Sequence, residues 1–456
     1  MSRRTELPEP ISLKKSIGPS VILLGLSLGS GELIMWPYLV SQYGLGIIWG
    51  GAAGITFQYF LNTEIMRYTL AWGESVFVGW RRWSRLIPLW FVFSTVIPWA
   101  LPGFVTTSAS MLQYLIPGLS IKFTAICLLL LTGLIISSGK TLYKTMERVQ
   151  FILLSLGIPT IAFLTFYLAR GADWLALAHG LVGQGEGYRW LPSGIALGAF
   201  LGAFAYSGAG GNLNLSQSSY IKEKGFGMGK YAAKISSLLS GKQVARLDGQ
   251  LFTLSAANLS RFRRWWRLVR EEHAIVFWGI GLLTILLLAV LSAASTRIAG
   301  RPGGEGLTFF AHEAEMIGGS TYPIFGSIFV AVGALMIFTT QLGILESASR
   351  IISENLLLFK HPIQAEVNAS KTFYFVLWAE LGFSILFLIS GISEPLALLT
   401  LGALLNAAAM MVAFILILFL NRRLPKPIRP TLVRQFILVA AACFFLYFLL
   451  KIGGIL

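Results

Sequence analysis

Long apolar runs separated by charged stretches dominate this sequence of 456 residues. A run of roughly 20 apolar residues is long enough to cross a bilayer core of ~30 Å. Inside lipid every backbone N–H and C=O group must be bonded internally, so such runs form helices. Strands of a membrane β-barrel would show short alternating stretches instead, and the sequence has none. The pattern therefore predicts an all-α integral membrane protein.

Eleven runs are long enough to span a membrane, which predicts about 11 transmembrane helices. They lie near residues 17–43, 46–72, 87–115, 121–138, 146–169, 191–220, 273–296, 321–348, 372–391, 395–420 and 432–451. We number these predicted spans 1 to 11. No separate soluble domain is visible, so we expect one transmembrane domain over residues 1–456.

Charged residues are few and unevenly placed. Only 12% of the chain is charged, whereas soluble domains average about 25%. If the N-terminus lies inside, about 30 of the 36 Lys and Arg residues fall on the inner side. The positive-inside rule favours this orientation and accounts for the net charge of +16 without nucleic acid. We expect a multi-pass protein of the plasma (cytoplasmic) membrane with a cytoplasmic N-terminus.

Few residues offer catalytic chemistry. Cys127 and Cys443 both lie inside apolar runs, and none of the 4 histidines falls clearly within a span. No combination of serine, histidine and acid can be placed, and no phosphate-binding glycine loop precedes a lysine. The sequence predicts neither an enzyme nor a tightly bound cofactor, and it gives no support for ATP-driven transport.

Span 1 is interrupted near its middle. Residues 27–32 read Ser-Leu-Gly-Ser-Gly-Glu, and Trp36 and Pro37 follow. A glycine destabilises a helix by about 1 kcal/mol relative to alanine, and a carboxylate at membrane depth costs at least ~2.5 kcal/mol. These residues predict a helix that unwinds at mid-membrane and exposes its carbonyl groups to a ligand.

Span 6 carries a similar interruption. Residues 205–214 read Ala-Tyr-Ser-Gly-Ala-Gly-Gly-Asn-Leu-Asn. Each interruption lies in the first span of a set of five, and spans 1 and 6 cross the membrane in opposite directions. This pattern predicts a LeuT-type 5+5 inverted repeat, with repeat one at about 17–169, repeat two at about 191–420, an extra helix at about 432–451, and the substrate between helices 1 and 6. The alternative is that the glycines only permit close helix packing.

The sequence resembles the Nramp family of proton-coupled divalent-metal transporters. The family pattern in span 1 is Asp-Pro-Gly-Asn, followed about twelve residues later by Phe-Gly-Tyr-Ser-Leu-Leu-Trp. At that spacing residues 29–32 read Gly-Ser-Gly-Glu and residues 43–49 read Tyr-Gly-Leu-Gly-Ile-Ile-Trp. In span 6 the family has Met-Pro-His-Asn-Leu-Tyr-Leu-His-Ser, where residues 209–217 read Ala-Gly-Gly-Asn-Leu-Asn-Leu-Ser-Gln. The resemblance implies the LeuT-type fold and transport of a divalent cation.

The residues that bind metal in the family are replaced here. Gly29 stands at the family's metal-binding aspartate, Glu32 at its asparagine, Ala209 at its methionine and Gly211 at its histidine. Because a thioether selects soft metals and a carboxylate with carbonyls suits hard ones, these replacements favour a hard cation such as Mg²⁺ or Mn²⁺. Residues 75–146 contain no Asp or Glu, whereas family members carry carboxylates in span 3, which leaves proton coupling open.

Our leading hypothesis is a secondary transporter of a divalent cation that works by alternating access. The predicted substrate-binding residues are Gly29, Ser30, Gly31, Glu32, Tyr206, Ser207, Ala209 and Asn212. A second hypothesis keeps the fold but makes the substrate a small organic solute that stacks on Tyr206 and Trp36 and pairs with Glu32. A third is a membrane sensor or an intramembrane enzyme. The oligomeric state is open.

Other polar residues are candidates for a pathway or a gate. They are Glu64, Arg67, Gln341, Glu346, Glu380 and Asn406. Glu64 with Arg67, and Glu346 with Arg350, have the spacing of helical ion pairs, so each is either a structural pair or an inner gate. Gln341 and Glu380 lie in mid-span, where they either line the pathway or bond to neighbouring helices.

Overall fold

The structure, a computed structural model, describes residues 5–138, 142–232, 244–300, 308–391 and 395–455. The side chains of Ser30, Thr308 and residues 395–397 lie outside this description. Most of the described chain is helical, and we number the helices after the predicted spans.

The first set of five helices follows the predicted spans. Helix 1 is made of Pro19–Ser27, a π-helical segment Leu28–Met35, and Trp36–Tyr43. Helices 2 to 5 are Trp49–Trp72, the kinked pair Ile87–Trp99 and Gly103–Leu115, Ile121–Ser138, and Leu142–Leu168. The kink in helix 3 lies at Pro98 and Pro102, because proline cannot continue the helical hydrogen bonds.

The second set of five begins with helix 6, which is interrupted between two helical segments. Helix 6 consists of Leu197–Ala205, a 3-10 segment Gly211–Ser216, and Gln217–Lys224. Helix 7 follows the π-helical segment Ala274–Ile280 and covers Gly281–Ala299. Helices 8, 9 and 10 are Pro323–Lys360, Ala369–Ile389 and Pro395–Arg422, and helix 11 is Leu432–Ile452.

Short elements connect these helices. The short helices are Leu13–Ser16, Leu45–Ile47, Val76–Arg81, Gly171–Leu181, Gly227–Tyr231, Thr308–Ser320 and Lys426–Ile428. Two antiparallel pairs of two-residue strands are formed by Gln184–Gly185 with Tyr188–Arg189 and by Ala245–Arg246 with Glu366–Val367.

Nine helical segments in the described ranges are long and apolar enough to cross a membrane. The other two predicted spans are helix 2 and the broken helix 6. Helix 2 has 24 residues, but Gln58, Asn62, Glu64 and Arg67 lower its hydropathy. The breaks in helix 6 divide a span that would otherwise be long enough.

The interrupted helix 1 lies in the interior of the molecule. Its most apolar stretch is entirely buried, whereas the corresponding stretches of helices 4 and 11 are only 28% buried. Helix 8 packs against helices 1, 3 and 5 of the first set. The fold therefore surrounds the interruption of helix 1 with protein and leaves helices 4 and 11 at the periphery.

An amphipathic helix, Ala256–His273, leads directly into helix 7. Trp265 is buried, and its indole N–H donates a hydrogen bond of 2.8 Å to the carbonyl of Pro8. The Arg67 guanidinium lies 3.8 Å above the ring of Trp266. The tryptophans of this helix therefore attach it to the N-terminal segment and to helix 2.

Candidate functional site

The interruption of helix 1 is π-helical. The predicted unwinding is wrong, since residues 28–35 are wound more widely and do not open into a loop. The N–H of Trp36, for example, bonds to the carbonyl of Gly31, five residues earlier. Such i→i+5 bonds satisfy the backbone within the segment, which matters where water is absent. Few carbonyls of helix 1 are thus left free for a ligand.

Two glycines in the π segment allow other helices to approach closely. A Cβ atom on Gly31 would lie 1.9 Å from the carbonyl oxygen of Tyr206, which is backbone at the break of helix 6. A Cβ atom on Gly29 would lie 2.4 Å from the Thr340 hydroxyl on helix 8. The two interruptions are therefore in direct contact, and the glycines make that contact possible.

The break in helix 6 is a change of backbone conformation. Gly210 and Gly211 have φ angles of 77° and 48°, in the left-handed region that favours glycine. Helix 6 ends at Ala205 and resumes at Gly211 in a 3-10 turn. The backbone groups released here need partners from elsewhere, because a buried unpaired amide or carbonyl costs about 1–3 kcal/mol.

Gln58 of helix 2 supplies several of those partners. Its amide nitrogen donates to the Ala205 carbonyl at 3.1 Å, before the break. Its amide oxygen accepts from the Gly210 N–H at 3.2 Å and from the Asn214 side chain at 3.0 Å, after the break. Sequence analysis did not single out Gln58; a glutamine in the middle of a predicted membrane span is the signal that could have found it.

Polar side chains from helices 3 and 10 hold the segment after the break. Asn212 donates to the hydroxyls of Ser94 at 2.8 Å and Thr95 at 3.0 Å. Asn406 donates to the Tyr206 hydroxyl at 3.3 Å. Asn406 therefore does reach the predicted site, where it contacts a predicted binding residue.

Glu32 faces a different side of helix 1. The carboxylate is fully buried and accepts a hydrogen bond of 2.7 Å from Ser27. Gly281 and Thr284 of helix 7 lie beside it. Its second oxygen, Oε2, has no hydrogen-bond partner among the described residues.

The predicted binding residues thus divide into two groups around the contact between Gly31 and Tyr206. Glu32 lies towards helix 7, whereas Asn212 and Tyr206 contact helices 3 and 10. Ala209 is buried in the turn of the break. The side chain of Ser30 lies outside the described part of the chain.

The two aromatic residues next to the interruptions, Trp36 and Tyr206, contact different neighbours. Tyr206 packs against the rings of Trp99 at 5.6 Å and Phe104 at 6.0 Å between centroids. Trp36 instead donates its indole N–H to the Ser207 hydroxyl at 2.9 Å and meets Phe200 edge-on. Trp36 and Tyr206 therefore contact different partners, and the hypothesis that both stack on an organic solute stays a prediction.

Glu64 and Arg67 form an ion pair that belongs to a larger network. The Arg67 Nε atom lies 2.7 Å from Glu64 Oε2. Arg434 of helix 11 also binds Glu64, and Asn421 of helix 10 donates to it at 2.9 Å. This network ties helices 2, 10 and 11 together.

Glu346 and Arg350 also form a pair, and Arg350 binds Glu223 of helix 6 as well. Tyr220 of helix 6 donates to Glu346 at 2.7 Å. Helix 8 continues to Lys360 and does not end near residue 348 as predicted, because a polar helix can extend beyond the apolar run. The pair therefore joins helix 8 to the second half of helix 6.

Gln341 and Glu380 both keep a free oxygen. Ser349 of helix 8 donates to Glu380 of helix 9 at 2.6 Å, while Glu380 Oε1 and Gln341 Oε1 are buried without a hydrogen-bond partner in the described ranges. Next to Gln341, Thr340 donates to the Gly25 carbonyl of helix 1 at 3.1 Å. Glu380 thus resembles Glu32 in its single serine partner and its one free oxygen.

Several buried oxygens near the two interruptions have no hydrogen-bond partner within the described residues. They include Glu32 Oε2, Asn212 Oδ1, Asn214 Oδ1, Ser216 Oγ, Asn406 Oδ1 and Gln341 Oε1. No group of three or more His, Cys, Asp or Glu residues that could hold a metal occurs in the part of the chain that the structure describes. Any ion bound here would be held mainly by amide, carbonyl and single carboxylate oxygens.

No protein-family model and no curated protein matches the chain. Solved structures of transporters do. A variant of the manganese transporter of Eremococcus coleocola is 12% identical, with a TM-score of 0.67 over 98% of this chain and 89% of that one. The same transporter in complex with an aromatic bis-isothiourea substituted compound gives a TM-score of 0.66 at 12% identity, over 98% and 88%.

Mhp1, a nucleobase-cation-symport-1 family transporter in a closed conformation with bromovinylhydantoin bound, is 13% identical. Its TM-score is 0.58, over 98% of this chain and 95% of Mhp1. These likenesses show the fold. The chain has the all-α LeuT-type transporter fold, with two inverted five-helix repeats and interruptions in helices 1 and 6.

Proposed function

We propose that this protein is a secondary transporter that moves a divalent metal cation by alternating access. The cation would bind where the interruptions of helices 1 and 6 meet. One observation carries the proposal: Glu32 is a fully buried carboxylate, and its Oε2 atom has no hydrogen-bond partner among the described residues. It lies on the π segment whose Gly31 touches the break of helix 6. An uncompensated buried carboxylate is costly, and a cation would offset that cost.

The available ligands favour a hard cation. Within the described ranges, most of the polar atoms near the interruptions that lack a hydrogen-bond partner are oxygens, among them those of Glu32, Gln341 and three asparagines. Oxygen ligands suit Mg²⁺ and Mn²⁺, whereas sulfur ligands suit softer metals. The available space also favours a small substrate: the Gln58 side chain fills the space beside Gly208, and Asn406 fills the space beside Gly211.

A distant relationship to the Nramp family supports the same proposal. The chain shares its fold with a manganese transporter and resembles the Nramp pattern in spans 1 and 6. We propose a divergent member of that family in which Glu32 replaces the usual metal ligands. The excess of Lys and Arg on one side supports a cytoplasmic N-terminus, and we propose that the protein lies in the cytoplasmic membrane.

A small organic solute is the second candidate, and the aromatic group around Tyr206 favours it. The rings of Trp99, Phe104 and Tyr206 lie together. Trp99 Nε1 and Asn406 Oδ1 have no hydrogen-bond partner among the residues described. Flat rings beside a free donor and a free acceptor suit a planar heterocycle, and the solved structure of Mhp1 holds such a ligand.

Uptake into proteoliposomes tests the proposal. Purified protein would be tested with Mg²⁺, Mn²⁺ and Ca²⁺, comparing the wild type with Glu32→Gln. The matched control is Glu380→Gln, since Glu380 is equally buried and has one serine partner. We expect uptake by the wild type and the control and at least a tenfold loss in Glu32→Gln. Folded wild-type protein that moves none of the three ions would overturn the proposal and favour the organic solute.

A further inference from the structure

Ser20, Glu272 and His273 meet at the N-terminal end of helix 1. The Ser20 hydroxyl lies 2.7 Å from His273 Nδ1 and also bonds to Glu272 Oε2. All three side chains are buried. Glu272 Oε1 and His273 Nε2 have no hydrogen-bond partner in the ranges that the structure covers. Sequence analysis could place no serine, histidine and acid together, because 253 residues separate Ser20 from His273.

This arrangement differs from that of a hydrolase triad. In a triad the acid holds the ring nitrogen opposite the serine, so that the imidazole can activate the hydroxyl. Here Glu272 and His273 both contact the Ser20 hydroxyl, and no described residue hydrogen-bonds to the opposite nitrogen of His273. A hydroxyl between an acid and a base can accept a proton from one while it donates its own to the other.

We infer that Glu272, Ser20 and His273 form a proton-binding relay that couples proton release to movement of the first half of helix 1. The inference deepens the proposed function, on which it rests: the resemblance to the Nramp family implies proton coupling, and the inference assigns the residues that bind the proton. Ser20 lies on Pro19–Ser27, which runs straight into the π segment that carries Glu32. Glu272 and His273 directly precede the π segment of helix 7.

The relay holds one exchangeable proton besides the serine's own. When Glu272 is protonated, it donates to Ser20, and Ser20 donates to Nδ1 of a neutral His273. Transfer moves the Glu272 proton to Ser20 Oγ while the Ser20 proton moves to Nδ1, which leaves a carboxylate, a hydroxyl and an imidazolium. Both forms have zero net charge. Loss of the proton leaves a net charge of −1 on the three buried side chains.

The surrounding groups compensate that charge only in part. Tyr59 stacks on His273. The titratable and charged groups around Tyr59 and the three relay side chains are Tyr59, Tyr143, Glu147, Lys224, Arg270 and Arg434. Lys224 is already bound to Glu147 at 2.6 Å and to the Ile17 carbonyl at 3.1 Å. A buried net charge is costly. The relay therefore favours its protonated form while Ser20 remains buried in contact with Glu272 and His273.

Release of the proton therefore favours separation of helix 1 from the end of the amphipathic helix Ala256–His273, because water can then reach the carboxylate. The same movement would open the cation site towards the side on which helix 1 begins. A proton that is lost only when this side opens would be carried together with the cation.

Hydrogen–deuterium exchange of Pro19–Ser27 tests the relay without measuring transport. The opening equilibrium, corrected for the intrinsic pH dependence of exchange, would be measured from pH 5 to 9. For the wild type we expect it to rise with pH, by up to tenfold per pH unit over the range in which the single proton is lost. Ser20→Ala and Glu272→Gln should each remove this pH dependence, whereas Ser20→Thr, which keeps the hydroxyl, should retain it.

The control is Glu380→Gln, which removes a buried carboxylate elsewhere and should leave the pH dependence unchanged. Wild-type exchange that does not vary with pH would overturn the relay, as would a pH dependence that survives in both Ser20→Ala and Glu272→Gln. Two independent variants are used, so misfolding of one still leaves a result.

A second measurement separates this inference from the proposed function. Pyranine inside proteoliposomes would report protons that enter with Mn²⁺. We expect acidification with the wild type and at least a tenfold smaller signal per Mn²⁺ with Glu272→Gln. Cation uptake without proton entry in the wild type would overturn the relay and leave the proposed function intact. Absence of cation uptake, with pH-dependent exchange retained, would overturn the proposed function alone.

Discussion

The interruptions of helices 1 and 6 occupy matching places in the two repeats but are built differently. Helix 1 keeps its backbone bonded within a π-helical segment and carries the carboxylate of Glu32. Helix 6 breaks at Gly210 and Gly211, and Gln58 of helix 2 satisfies groups on both sides of the break. The first interruption is self-sufficient in hydrogen bonds, whereas the second depends on neighbouring helices.

This difference separates two requirements that a sequence pattern cannot distinguish. The interruption of helix 1 needs small residues, because Gly31 lies against the Tyr206 backbone. The interruption of helix 6 needs polar partners, because buried backbone N–H and C=O groups at the break are not paired within the helix. Substitutions that remove a partner should therefore harm helix 6 most, and substitutions that add volume should harm helix 1 most.

The largest effect on stability is expected from Gln58→Leu. It would remove hydrogen bonds to the Ala205 carbonyl, the Gly210 N–H and the Asn214 side chain. Since each buried polar group left unpaired costs about 1–3 kcal/mol, the free energy of unfolding should fall by about 3 kcal/mol or more. Denaturant unfolding in detergent would measure it.

Gln435→Leu is the matched control for that experiment. Gln435 is half-buried and makes one local bond, to the Pro430 carbonyl at 3.0 Å, so its loss should cost about 1 kcal/mol or less. Equal effects of the two substitutions would contradict the bridging role of Gln58.

A smaller loss of stability, with a large loss of transport, is expected from Gly31→Ala. The added methyl group would lie 1.9 Å from a backbone oxygen that cannot turn away. Overpacking of this kind costs roughly 1–3 kcal/mol, and the two interruptions would be pushed apart. Uptake should fall at least tenfold, whereas Gly382→Ala, with open space at its Cβ position, should change neither quantity. Normal uptake by Gly31→Ala would show that the contact is dispensable.

The smallest effect is expected from Gly211→Ala, and it should depend on Asn406. The backbone at Gly211 has a φ of 48°, and a Cβ atom there would lie 1.7 Å from Asn406 Oδ1. The left-handed conformation costs a non-glycine residue about 1 kcal/mol, and displacement of Asn406 adds to that cost.

A double-mutant cycle with Asn406→Ala measures that added part. Truncation of Asn406 removes its Oδ1 and Cγ atoms, which would make the two closest contacts, but leaves its Cβ atom at 2.9 Å and the backbone strain. The coupling free energy should therefore exceed about 0.5 kcal/mol. Additive effects would mean that Asn406 moves aside without cost.

Much of the fold could be predicted because the membrane imposes it on composition. A span must be apolar, so the helices are visible in the sequence. Glycines in mid-span marked both interruptions, together with a carboxylate in span 1. The π winding of helix 1 could not be predicted, since eight residues of apolar pattern do not distinguish 3.6 residues per turn from a wider winding. The extension of helix 8 to Lys360 was also missed, because polar residues beyond the membrane add nothing to hydropathy.

The partners within the site were less predictable than the site itself. Nothing near Gln58 in the sequence indicates that it bonds to a carbonyl 147 residues away. Likewise, Trp36 and Tyr206 are both aromatic residues next to an interruption, but only the packed structure shows that Tyr206 meets Trp99 and that Trp36 meets Ser207. Long-range pairing depends on how helices turn about their axes, and an apolar span gives little information on that rotation.

Equilibrium binding of Mn²⁺ to the purified protein tests the central claim most directly. Electron paramagnetic resonance of free Mn²⁺ would count bound ions in the wild type, Glu32→Gln and Glu380→Gln. The account predicts one saturable site in the wild type and in Glu380→Gln, with affinity at least tenfold weaker in Glu32→Gln. Equal binding by all three proteins, or none by the folded wild type, would contradict a cation site at the interruption of helix 1.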